Sequence, residues 1–118
     1  MMFKTLLTTL LLAVALPALA DNAPLSVNAR GTYLPKVNFP VWQLTLTSQE
    51  NDITVQSITL NRGNCLISMS GRGQNVNKRL GYGQTFSFTT PSNSSFTQCR
   101  PLELTVQTDK GPYTFNWQ

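Results

Sequence analysis

Beyond about residue 24, apolar and polar residues alternate with a period of two, in short runs separated by clusters of turn-forming residues. Period two sends successive side chains to opposite faces of a strand, so each run reads as a half-buried β-strand. "VWQLTLT" sets Trp42, Leu44 and Leu46 on one face and Gln43, Thr45 and Thr47 on the other. Leu25, Val27 and Ala29 alternate in the same way, and Phe86 and Phe88 share a face in "TFSFTT". The last 18 residues are the clearest stretch. "PLELTVQT" places Leu102, Leu104 and Val106 against Glu103, Thr105 and Gln107, "DKGP" turns the chain, and "YTFNW" alternates Tyr113, Phe115 and Trp117. That is a terminal β-hairpin. "ITVQSITL" holds Ile53 and Val55 in one phase but Ile58 and Leu60 in the other, which predicts a bulge near Gln56 or Ser57.

The intervening segments read as turns. "RGTYLPKVNFP" contains Gly31, Pro35 and Pro40 and is expected to be irregular or an edge. "NRGN" (61–64) reads as a hairpin-type turn leading into a strand with Cys65, Ile67 and Met69 on one face. "SGRGQNVNKR" (70–79) is expected to be a long loop or a weak edge strand, while "LGYGQ" is a turn and "PSNSSFTQ" a loop leading to Cys99. Six to eight strands with no helical periodicity predict an all-β, two-sheet sandwich of immunoglobulin or fibronectin type III-like kind. Its core should contain Trp42, Leu44, Leu46, Ile58, Leu60, Phe86, Phe88, Leu104 and Val106.

The first twenty residues, MMFKTLLTTLLLAVALPALA, break this pattern. Lys4 lies in a short leading region, an apolar run follows, and Pro17-Ala18-Leu19-Ala20 offers a small-x-small cleavage site after Ala20. The alternatives are a membrane anchor or a buried helix, but the run is short and interrupted by threonines and a proline. The expectation is a cleaved signal peptide over 1–20 and a single soluble domain over 21–118, periplasmic or secreted, with no membrane span.

Removing residues 1–20 from the 118 leaves 98, enough for one small domain that benefits from a covalent cross-link. Cys65 and Cys99 are the only cysteines, and an exported chain meets an oxidising compartment. With no histidine, neither a zinc site of ordinary spacing nor a cysteine–histidine nucleophile is expected. A Cys65–Cys99 disulfide is the reading this favours, with free thiols or an intermolecular bridge as alternatives. It should stabilise the fold by about 3–4 kcal/mol in the chain-entropy model.

Apart from Lys4, eight basic residues face five acidic ones, too mild an excess for a nucleic-acid partner. The acids Asp21, Glu50, Asp52, Glu103 and Asp109 form no evident catalytic pair, and no nucleotide-binding or metal-loop motif occurs. The sequence therefore predicts neither an enzyme, a cofactor nor a metal site. Two sets of residues are candidates for binding a protein. Arg62, Arg72, Lys78, Arg79 and Arg100 are basic, and the disulfide would bring Arg62 and Arg100 to one end; ordinary solvated charge is the alternative. Of the aromatic set Tyr33, Phe39, Trp42, Tyr82, Phe96, Tyr113 and Trp117, most should be core, whereas Tyr33, Tyr82 and Phe96 fall in expected loops where an exposed ring can anchor a partner.

"ITLNRGNC", "LGYGQ" and the closing "LTVQTDKGPYTFNW" resemble a family of small exported bacterial β-sandwich proteins, the one that includes the interleukin receptor mimic protein IrmA. The resemblance covers the leader and most of the remaining chain in length and element order. It implies a fibronectin type III-like sandwich able to dimerise through its strands, comparable with cytokine-receptor modules, and a possible host immune partner, but no residue-level site to carry over. The expected function is a non-enzymatic interaction module; a pilus-associated subunit and a small hydrolase inhibitor are the competing readings. Residues 113–118 carry no charge, nor do residues 23–29, so a homodimer through terminal strands is expected as well.

Overall fold

A computed structural model describes residues 16–18, 23–68 and 75–117. Eight strands follow in chain order: β1 (Leu16–Ala18), β2 (Leu25–Leu34), β3 (Phe39–Ser48), β4 (Ile53–Leu60), β5 (Asn75–Leu80), β6 (Thr85–Pro91), β7 (Glu103–Thr108) and β8 (Gly111–Asn116). They form two antiparallel four-stranded sheets, ordered β1-β2-β3-β6 and β5-β4-β7-β8. The apolar phase of each strand points between the sheets. Val27, Leu44 and Leu46 from the first meet Ile58, Leu60, Leu104, Val106 and Phe115 from the second in one core. The protein is thus an all-β sandwich, and a Cys65–Cys99 disulfide joins its loops.

The alternation locates the buried face of most strands. Of the expected core, Trp42, Leu44, Leu46, Ile58, Leu60, Phe88, Leu104 and Val106 are buried, while Phe86 is half-buried and packs against the cluster. In β4 the ladder shifts register between Val55 and Ser57 on both sides. The bulge leaves Gln56 exposed and lets both Ile53–Val55 and Ile58–Leu60 face inward, which accounts for the phase flip.

Four local expectations are corrected. The stretch around Gly31 and Pro40 is not irregular: β2 and β3 form a long hairpin with Leu34 opposite Phe39, and among the described residues 30–34 of β2, past the register of β1, lie at the sheet edge as the alternative expectation had it. Only residues 35–38 turn, closed by Asn38 N–H donating to the Leu34 carbonyl at 2.8 Å. Pro40 sits just past the β3–β6 ladder, where its carbonyl still accepts from Ser92 N–H at 2.9 Å and its missing N–H costs one bond at the sheet's end. "NRGN" is not a hairpin. Asn61–Gly63 forms a 3-10 turn from which the chain leaves for the other sheet, and the expected strand beyond reduces to a single bridge between Ser68 and Thr89. Met69 lies outside the described residues. Residues 75–80 do form an edge strand, β5. Leu102, placed inward by the sequence pattern, precedes β7 and is 60% exposed.

Candidate functional site

Two ends of the sandwich can be told apart by the strand register. One carries the β2–β3 turn, the end of β4, the start of β7 and the disulfide; the other carries the β3–β4, β5–β6 and β7–β8 turns. The eight candidate binding residues divide between them. Tyr33, Phe96, Arg62 and Arg100 come together at the disulfide end. Tyr82 and Arg79 lie at the opposite end, with Lys78 on β5 opposite Val55, and Arg72 falls outside the described residues.

At the disulfide end the local order starts with Asn61. Asn61, Arg62 and Gly63 all have positive φ (49°, 58° and 87°), a conformation asparagine and glycine accept most readily. The Asn61 side chain then substitutes for a missing strand. Its Oδ1 accepts from the backbone N–H of Leu102 and Glu103 at 2.8 and 3.0 Å, and its Nδ2 donates to the Arg100 carbonyl at 2.9 Å. One side chain thus ties the end of β4 to the start of β7, beside the disulfide. Arg62 projects outward and pairs with Glu103 at 3.3 Å. A shallow concavity opens here, lined by Asn61, Arg62, Asn64, Leu102, Glu103 and Asn116.

On the first sheet an aromatic stack forms across the loop before Cys99. Phe96 is not the exposed ring expected of a loop residue. It is half-buried, edge-on to Tyr33 with centroids 5.4 Å apart and edge-on to Trp42 at 6.1 Å. Trp42 Nε1 donates to the Phe96 carbonyl at 3.2 Å, and the Arg100 guanidinium stands 5.8 Å from the Trp42 ring centroid. Gly31 makes room: a Cβ there would lie 2.8 Å from the Phe96 ring. Phe96 therefore acts as the support on which Tyr33 rests.

The exposed apolar surface is unevenly shared. Among the described residues, the large apolar side chains left exposed are Tyr33, Leu34, Val37, Phe39, Leu66, Tyr82 and Leu102. All but Tyr82 belong to the disulfide end, with Val37 at the hairpin tip 68% exposed. Charge is divided too. Among the described residues, Lys36, Arg62 and Arg100 face a single acid, Glu103, at this end, whereas Glu50, Asp52 and Asp109 all sit in the turns at the other end near Lys78, Arg79 and Lys110. There Arg79 forms a 2.7 Å pair with Asp52 on the exposed surface, and the hydrogen bond from Arg79 holds the Asp52 carboxyl below the usual aspartate range.

Sequence reasoning missed Leu34, Val37, Leu66 and Leu102 as surface residues. Val37 carried a usable signal, an apolar residue between Lys36 and Asn38 in a proline turn. Among the described residues no group of three or more histidine, cysteine or acidic side chains could hold a metal, and no helix is long and apolar enough to cross a membrane. Comparison with protein-family models, with curated proteins and with solved structures found no match to this chain.

Proposed function

We propose that the chain is an exported, non-enzymatic interaction module, periplasmic or secreted once residues 1–20 are removed, which binds a protein partner through its disulfide end. The observation that carries this reading is the concentration of exposed apolar side chains at that end, framed by Lys36, Arg62 and Arg100 with Glu103 the one acid there among the described residues. Water-exposed Tyr33, Leu34, Val37 and Phe39 on a two-stranded tip are costly for a free monomer and useful to a contact surface. The charge balance favours a partner with acidic groups around an apolar centre. The resemblance to the interleukin receptor mimic family makes a host immune protein the first candidate to test.

A homodimer through terminal strands belongs to the same proposal, with β8 as the pairing edge. Its residues Tyr113 to Asn116 are uncharged, and only Lys110 and Pro112 at its start discourage strand addition. Pairing two β8 edges leaves the disulfide end's hairpin tip accessible.

The test is crosslinking of the purified exported protein to candidate partners from bacterial and host surface extracts. A Val37→Asp, Phe39→Ser double variant that melts like the parent should lose the crosslinked product. Equal crosslinking by the variant, or a robust hydrolytic activity of the purified protein, would overturn the reading.

A further inference from the structure

The four sheet edges differ in how they are closed to strand addition. β5 carries Lys78 and Arg79 and is kinked at Asn77, whose φ is 51°. β6 is met by Ser68, whose N–H donates to the Thr89 carbonyl at 2.8 Å, and ends at Pro91. β8 has Pro112 at its start, which guards only that end and leaves Tyr113 to Asn116 to the homodimer contact proposed above. These are the ordinary devices of edge protection: charge, bulge, cover and proline. β2 has none of them over its first half. Between Leu25 and Ala29 it bears no charge and no proline, and among the described residues it is covered by β1 alone, in the register Leu16↔Ala29, Pro17↔Asn28 and Ala18↔Val27.

β1 lies wholly inside the segment proposed above as a signal peptide. We infer that the β2 edge, vacated when residues 1–20 are cleaved, is a strand-accepting site for an extended segment of a partner protein with apolar residues at alternate positions. The inference rests on the export reading. Its chemistry is taken from the segment seated there: the accepted strand runs antiparallel, with apolar residues at the register positions opposite the buried Val27 and Ala29. A proline is tolerated opposite Asn28. Main-chain hydrogen bonds would supply affinity, and the alternation would supply selectivity. The site is distinct from the hairpin tip, since Val27 to Ala29 pair with Leu46 to Leu44, well away from the Leu34–Phe39 turn.

The experiment uses the protein exported under its own leader, with intact mass fixing its first residue. The probe is a synthetic peptide of residues 14–20, VALPALA, added in trans, and the readout is amide exchange along β2. The expected mass begins at Asp21, and peptide at about ten times its dissociation constant should slow exchange of the outward β2 amides about tenfold. A peptide carrying Leu16→Asp and Ala18→Asp should give no slowing. Absence of slowing at any attainable peptide concentration, or slowing at β5 or β8 instead, overturns the inference. Protection of β2 without peptide that grows with protein concentration places a second copy on the edge and overturns the partner-strand assignment. An exported protein that retains residues 16–18 overturns it by a different route, through the failure of the export reading, and the mass alone distinguishes that case.

Discussion

The two ends of this sandwich are built from similar residue types but are held differently. At the disulfide end, Cys65–Cys99, the three backbone bonds of Asn61 and the Tyr33–Phe96–Trp42 stack hold several separate chain segments together. At the other end no disulfide links the turns, which combine local bonds with non-local ones such as Asp109 N–H to the Thr54 carbonyl at 3.1 Å and Gly83 N–H to the Ser48 carbonyl at 2.9 Å. Gln84 N–H donates to the Gly81 carbonyl, Thr108 Oγ1 to the Gly111 carbonyl, and Arg79 meets Asp52 on the exposed surface. The cross-braced end also carries most of the exposed apolar surface. A small domain can display such surface on an ordered scaffold only if other interactions hold that scaffold in place, and here they are non-local and partly covalent.

Breaking the covalent brace should have the largest effect. Cys99→Ser is expected to lower unfolding free energy by about 2–5 kcal/mol, the usual cost in a small secreted domain, measured by urea titration against the parent. A loss under about 1 kcal/mol would mean the end is held without the bond. Leu104→Ala, in the core between the ends, should cost about 2–4 kcal/mol through transfer and cavity terms. It should leave the crosslinking of the hairpin tip intact, whereas Cys99→Ser should weaken both. Asn61→Ala should cost about 1–2 kcal/mol by stranding the Leu102 and Glu103 N–H groups. Asn61→Gly keeps the positive φ without the bonds, so a similar loss in both variants assigns the cost to the hydrogen bonds.

The smallest effect belongs to the far end. Asp52 titrates below its ordinary range because Arg79 donates to its carboxylate, so the pair contributes above the unfolded aspartate value and is lost as pH falls through the lowered folded value. Both groups are solvent-exposed, so Arg79→Ala should produce no resolvable shift in melting midpoint at neutral pH, or at pH 3. A clear drop confined to neutral pH would show that the Arg79–Asp52 pair braces the far end despite its exposure.

What was legible in the sequence is what period two encodes. The β7–β8 hairpin, the bulge at Val55–Ser57 and the inward face of β3 followed from alternation alone, because each depends on neighbours one or two residues away. The disulfide was legible from the cysteine count together with the expectation of export. The assembly of the disulfide end was not. Phe96 looks like a loop ring until Gly31, 65 residues earlier, is found beneath it. Asn61 looks like a hairpin residue until its amide is found across β7. Phe39 looks like part of an irregular stretch because Pro35 and Pro40 flank it, although it pairs with Leu34 of β2. In each case a distant contact decides, and no local pattern records it.

The central claim, that the braced end is the working surface, is tested most directly by placing a photoreactive side chain at Val37 or at Tyr82 and irradiating cells that produce the protein. These two positions have comparable exposure, 68% and 73%, and lie at opposite ends. Val37 should yield a discrete adduct with a partner protein, and Tyr82 should yield none. Adducts from Tyr82 but not from Val37, or equal adducts from both, would contradict the account.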